Sequence, residues 1–160
     1  MTAHPRTALS GARDESWRGA RLNTVDESRY ILVIDDDASI CGLIAEILSE
    51  EGYEVTATRD PGRALTMIAQ RPPALILLDL SVADQSAEEL VAAIRRLPDQ
   101  TVSIIVVSGH TDVGQRAKEV GADGYLPKPI DVPILIDTVQ AILSVRAGGD
   151  QAEPGAPESR

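Results

Sequence analysis

The chain has 160 residues, 25 acidic against 15 basic, and a formal net charge of −10. That length sets the expectation of one domain with short tails, no run approaches the roughly 18 consecutive apolar residues of a membrane span, and an acidic chain lacks the basic face a nucleic-acid binder needs. A single cysteine, Cys41, excludes an internal disulfide framework and a zinc site built from cysteines alone; the Arg-rich start has no apolar centre of a secretory signal, so a cytoplasmic setting is expected.

Residues 30–145 hold 18 acids and eight bases and so carry the whole net charge. The flanks, residues 1–28 and 146–160, are rich in Gly, Ser, Ala, Pro and Arg without a sustained apolar period, and read as a disordered N-terminal extension and a disordered C-terminal tail. Residues 29–145 then form the folded domain.

Within it, apolar runs and helical patterns alternate. Tyr30 to Ile34 is a continuous β-rich run, as expected of a strand buried on both faces. Ile40, Leu43, Ile44, Ile47 and Leu48 then recur with the period of one helix face, and Gly52 is placed to end that helix. Tyr53 to Thr58 reads as the second strand. Asp60-Pro61 supplies a cap and a first-turn proline for a helix that stops before Pro72-Pro73. Ala74 to Leu78 is the third strand, and Ser86-Ala87-Glu88-Glu89 is a capping box ahead of a helix carrying Leu90, Val91 and Ile94. Val102 to Val107 is the fourth strand, a helix from about Asp112 to Val120 ends at Gly121, and Gly124-Tyr125-Leu126 is the fifth strand. Asp131 caps a last helix with Leu135, Ile136, Val139, Ile142 and Leu143 on its apolar side.

Five strands in strict alternation with five helices imply a parallel sheet with right-handed crossovers and helices on both faces. Ligands in such sheets sit beyond the carboxyl ends of the strands. Those ends carry Asp35, Asp36 and Asp37 after the first strand, Asp79 after the third, Ser108 and Gly109 after the fourth, and Lys128 and Pro129 after the fifth. The second strand offers nothing comparable. Clustered carboxylates repel and raise one another's pKa unless a cation lies among them. An oxygen-rich acidic site suits Mg2+, Lys128 supplies a point charge for an anion, and Ser108 a hydroxyl donor. Together they describe a site for a phosphoryl group on a carboxylate, with Asp79 as the nucleophile.

Four segments in this order resemble the receiver domain of two-component response regulators, of the single-domain, chemotaxis-regulator-like type: Ile31-Leu32-Val33-Ile34-Asp35-Asp36-Asp37, Leu77-Leu78-Asp79-Leu80, Ile105-Val106-Val107-Ser108-Gly109 and Gly121-Ala122-Asp123-Gly124-Tyr125-Leu126-Pro127-Lys128-Pro129. The resemblance implies a doubly wound, flavodoxin-like sheet in the order 2-1-3-4-5. It implies Asp79 as phosphoacceptor, Asp36 as direct Mg2+ ligand, Asp35 as a ligand through water, and Ser81 as a ligand through its backbone carbonyl. Lys128 would grip the phosphoryl group, Ser108 and Tyr125 would form the switch, and the Lys128–Pro129 peptide would be cis. A histidine kinase or histidine phosphotransfer protein is the implied donor, docking partly on the first helix. A downstream target protein would meet the face of the fourth helix, fifth strand and fifth helix, with no DNA or membrane contact.

Two departures from the family stand out. The loop after the acceptor, Val82-Ala83-Asp84-Gln85-Ser86-Ala87, lacks the usual Pro and Gly, and His110 follows Ser108 by two. The expected role is a stand-alone regulator that catalyses only its own phosphorylation and dephosphorylation, and that switches protein–protein interactions or passes the group on in a phosphorelay. The alternatives are a pseudo-receiver used only for interaction, and a haloacid-dehalogenase-type phosphatase with Asp35-Asp36-Asp37-Ala38-Ser39 as its motif. Cys41 reads as a plain buried thiol.

Overall fold

The computed structural model describes residues 29–82, 87–98 and 101–149. Five strands, β1 (Tyr30–Ile34), β2 (Glu54–Thr58), β3 (Leu75–Asp79), β4 (Ser103–Ser108) and β5 (Gly124–Pro127), alternate with helices α1 (Ala38–Glu50), α2 (Pro61–Gln70), α3 (Ala87–Arg96), α4 (Val113–Val120) and α5 (Val132–Gly149). All pairings are parallel, in the order β2-β1-β3-β4-β5. This is the doubly wound order the resemblance implies.

The sheet is the core. Every residue of β1 and β3 is buried, because these are inner strands covered by helices on both faces. The pleat sends alternate side chains to opposite faces. Ile31, Val33, Leu75, Leu77, Ile105 and Val107 meet Ile44 and Leu48 of α1 and Leu135 and Val139 of α5. Leu32, Ile34, Ile76, Leu78 and Ile104 meet Ala64 and Ile68 of α2 and Leu90, Val91 and Ile94 of α3, while Val106 packs with Val113 and Ala117 of α4. Each fully buried Leu or Ile contributes about 1.5–3 kcal/mol, so this aliphatic core needs no phenylalanine.

Local signals place the helices. Asp37 accepts from the Ser39 and Ile40 amides to cap α1, and Asp60 accepts from Gly62 and Arg63 to cap α2 ahead of Pro61. Asp131 accepts from the Ile134 amide at 3.1 Å. Asp112 takes the N-cap position of α4 without such a bond, and the helix itself starts at Val113. Gly121 ends α4 with φ of 79°, a left-handed conformation costly for other residues. The α5 helix is described to Gly149, past the boundary expected at 145, as the helix-favouring Arg146 and Ala147 allow. The expected extension over 1–28, the rest of the tail from 150, and Ser86 of the capping box lie outside the described residues.

At the amino edge of the sheet, Asp123 joins three elements. Its Oδ2 accepts from the Ile104 amide at 2.8 Å and from Arg95 Nη2 at 2.9 Å, while Arg95 Nη1 donates to the Val102 carbonyl at 2.7 Å. Asp123→Ala strands a partly buried strand amide and is expected to lower the unfolding free energy by about 1–3 kcal/mol. Arg95→Ala loses an exposed ion pair and the bonds to the Val102 and Gly121 carbonyls, for about 1 kcal/mol. Urea midpoints at unchanged slope read both; equal losses would mean that the ion pair, not the strand amide, is what Asp123 supports.

Candidate functional site

The strand ends converge as the alternation requires. In register, Ile34 lies beside Thr58 and Leu78, Asp79 beside Val107, and Ser108 beside Pro127. Residues just past these pairs share one edge. Asp79 is itself the last residue of β3, one position further than the apolar run indicates, because Val107 of β4 still pairs with it.

Asp35, Asp36 and Asp79 offer carboxylate oxygens all within 4.8 Å of one another. Asp35 and Asp79 are buried, whereas Asp36 is exposed. Lys128 reaches in from β5, with Nζ 3.1 Å from Asp35 Oδ2 and 3.5 Å from Asp79 Oδ2. The Lys128–Pro129 peptide is cis, as the resemblance implies.

Burial pushes the Asp79 carboxyl above the usual carboxylate range, and neighbouring Asp35 adds to the rise. The Ser81 amide, donating to Asp79 Oδ1 at 3.0 Å, and the Lys128 charge pull the other way without cancelling it. For Lys128, burial favours the neutral amine, but the hydrogen bond to Asp35 and the charges of Asp79 and Asp35 outweigh it, so its pKa is raised. The site is thus a pocket of negative charge with one fixed cation. Its donor set is all oxygen, from three carboxylates, and that chemistry fits Mg2+.

Ser108 is buried at the end of β4, and its carbonyl accepts from the Lys128 amide at 2.8 Å. Its Oγ accepts from the His110 amide at 3.2 Å, while the His110 side chain lies in an exposed residue. Ser81 meets the site through its amide, which donates to Asp79 Oδ1. Tyr125 is half exposed, with its ring against Gly114 at the start of α4, where a Cβ would lie 3.1 Å from ring atom Cε1. Tyr125 therefore stands outward. Cys41 is buried, its thiol donates to the Asp35 carbonyl at 3.3 Å, and burial together with Asp35 pushes its pKa up, as suits an unreactive thiol.

The end of β2, which offers nothing comparable in sequence, nevertheless contributes to the site. The Asp35 amide donates to the Thr58 carbonyl at 3.2 Å, and Arg59 Nε donates to the Asp36 carbonyl at 3.0 Å. Both contacts use main-chain oxygens on one side, which leave no trace in residue type. Of the altered loop, Val82 is buried against the α2–α3 side of the core, and residues 83–86 lie outside the described residues.

Comparison with known proteins agrees with this geometry. The model of the response regulator receiver domain matches residues 31–140. The phosphate regulon transcriptional regulatory protein PhoB of Pseudomonas aeruginosa is 33% identical over 129 residues, 79% of this chain and 56% of that protein. Sporulation initiation phosphotransferase F of Bacillus subtilis is 28% identical over 119 residues, 73% of this chain and 95% of that protein. The chain spans about half the length of several of its curated relatives, PhoB among them. Among solved structures, a CheY-like receiver domain from Methanospirillum hungatei superimposes with a TM-score of 0.68 at 28% identity, covering 76% of this chain and 98% of the other. The chemotaxis response regulator CheY4 of Vibrio cholerae gives 0.65 at 28% identity, covering 71% and 97%. The chain belongs to the response regulator receiver domain family of two-component systems.

Proposed function

We propose that the chain accepts a phosphoryl group on Asp79 from the phosphohistidine of a histidine kinase or histidine phosphotransfer protein. The observation that carries this reading is the buried Asp35–Asp79 pair with exposed Asp36 within 4.8 Å and Lys128 bonded across it. Mg2+ would be held directly by Asp36, Asp79 and the Ser81 carbonyl, and through water by Asp35; bound there it supplies charge neutralisation for the transferring phosphoryl oxygens.

In the transfer, an Asp79 oxygen forms the bond to phosphorus while the phosphorus–nitrogen bond of the donor breaks, its electron pair returning to the imidazole. Lys128, held by Asp35, stands 3.5 Å from Asp79 Oδ2 and can move onto the incoming phosphoryl oxygens. The Ser81 amide keeps the Asp79 carboxylate oriented. Ser108 would turn its hydroxyl to the phosphoryl group. Because the Lys128 amide bonds the Ser108 carbonyl, such a pull is transmitted to β5, and Tyr125 would leave its seat at Gly114 and turn inward. This two-state element would alter the face of α4, β5 and α5, where Tyr125, Val132 and Ile134 are exposed. Exposed Leu43 on α1, with partly buried Ile40 beside it, offers apolar surface to the phosphodonor. The likeness to a phosphotransferase and to a chemotaxis regulator, each matched over nearly its whole length, supports output by protein contact or onward transfer.

Mg2+ is the first handle on this reading. At about a hundred times its dissociation constant it should stabilise the protein by about 2.7 kcal/mol, seen as a higher unfolding midpoint that a chelator reverses. Asp36→Asn should abolish most of the gain. A midpoint indifferent to Mg2+ would instead favour a pseudo-receiver, in which the acidic site is inert.

A further inference from the structure

We propose that Arg59, at the carboxyl end of β2, is a positioning residue that sets the Mg2+ ligand Asp36. The proposal rests on the metal-site reading above. The turn from β1 into α1 is three consecutive acids, which repel one another and must be held in place.

An inventory of its contacts shows how. The Asp35 amide is bonded to the Thr58 carbonyl at 3.2 Å, and the Asp35 carbonyl accepts the Cys41 thiol at 3.3 Å. Asp35 Oδ1 accepts from the Asp37 amide at 2.9 Å, and the Asp37 carbonyl accepts from the Cys41 amide at 3.0 Å. Asp35 and Asp37 are thus fixed by the sheet, by α1 and by each other. Asp36 is reached from another element at its carbonyl, by Arg59 Nε at 3.0 Å.

Asp36 is also the exposed member of the three carboxylates, so surrounding side chains do not set its position as they do for Asp35 and Asp79. Around Arg59 a cleft of about 390 Å3 opens between the starts of α1 and α2, lined also by Ala38, Cys41, Ala57, Thr58 and Arg63, with Asp60 at the α2 cap. The small side chains of Ala38 and Ala57 leave this side of the turn without close packing. The Arg59 side chain spans from β2 to the turn and replaces that support with one directed bond.

The charge of Arg59 works against this benefit. A guanidinium near a cation site repels the cation, so an effect of charge and an effect of position have opposite signs. The full chain, in wild-type form and as Arg59→Ala, Arg59→Gln and Arg63→Ala, separates them by calorimetric titration with Mg2+. Arg59→Ala should weaken Mg2+ binding about tenfold, in the range seen when outer partners of metal ligands are lost. Arg59→Gln keeps an N–H donor without the charge and should restore most of the affinity. Arg63→Ala removes an equal charge from the same cleft without a bond to the turn, and should leave binding unchanged or slightly tighter. Thermal midpoints in chelator should be alike for all four. Acetyl phosphate labelling of Arg59→Ala should be slowed at limiting Mg2+ and recover at saturating Mg2+.

Binding by Arg59→Ala as tight as or tighter than wild type would overturn the positioning role, leaving the metal site intact. A wild-type chain that binds no Mg2+ would overturn the functional reading and this inference together.

Discussion

In Mg2+-free buffer at neutral pH, Lys128→Ala is expected to cost about 3–5 kcal/mol of stability, the loss that follows when one partner of a buried ion pair is removed. Asp35 and Asp79 are almost fully buried, at 2% and 4% side-chain exposure, and Lys128, at 21%, lies between them. Without it two carboxylates face each other in low dielectric. The loss should shrink as pH falls, because protonation relieves the repulsion, and should shrink again when Mg2+ replaces the missing charge. The sign for wild type follows from the raised pKa of Lys128. Its contribution is fully present below the ordinary lysine value and is lost as pH rises through the higher folded value. Urea unfolding of both proteins across pH, with and without Mg2+, checks all of this; a loss independent of both would mean that Lys128 acts through its aliphatic stem.

Asp79→Asn should do the opposite. It keeps an oxygen for the Ser81 amide and removes one charge from the acidic cluster. The folded Asp79 pKa is raised, chiefly by burial. The folded state therefore binds this proton more tightly than the unfolded one, and stability falls as pH rises from the ordinary carboxylate value through the folded value. Once ionised, the side chain is a standing cost, worth about 1.4 kcal/mol for every unit of displacement. Asp79→Asn should accordingly raise the unfolding midpoint in Mg2+-free buffer, and should flatten the decline in stability above the ordinary carboxylate value, while abolishing phosphoryl acceptance. A destabilised Asp79→Asn would show that the carboxylate is held for the fold. The expected pattern is of a group retained against stability, as at sites where function sets the residue.

The pattern of the chain made the layers legible. The runs Tyr30–Ile34 and Leu75–Leu78 are uninterrupted and apolar because both sheet faces are covered, and the helices between them show a single apolar stripe. The chemistry was legible for the same reason: an acid or lysine directly after such a run has only the carboxyl edge of the sheet to occupy. Asp35, Asp36, Asp79 and Lys128 meet there. Thr58 and Arg59 were not legible, since their bonds to Asp35 and Asp36 run through main-chain carbonyls and any residue supplies those. The outward stance of Tyr125 was hidden because its ring lies against Gly114, a neighbour from another element. Strand ends shifted by one residue where a neighbouring strand extended the pairing, as β4 does for Asp79 and β5 for Ser108.

The measurement closest to the central claim is the intact mass of the full chain after incubation with Mg2+ and acetyl phosphate, followed by borohydride reduction and peptide mapping. One phosphoryl group should add to wild type and be absent when Mg2+ is chelated, with reduction converting Asp79 alone. An adduct that persists in Asp79→Asn, or a reduced residue at Asp35 or Asp36, would contradict the assignment of Asp79 as the acceptor.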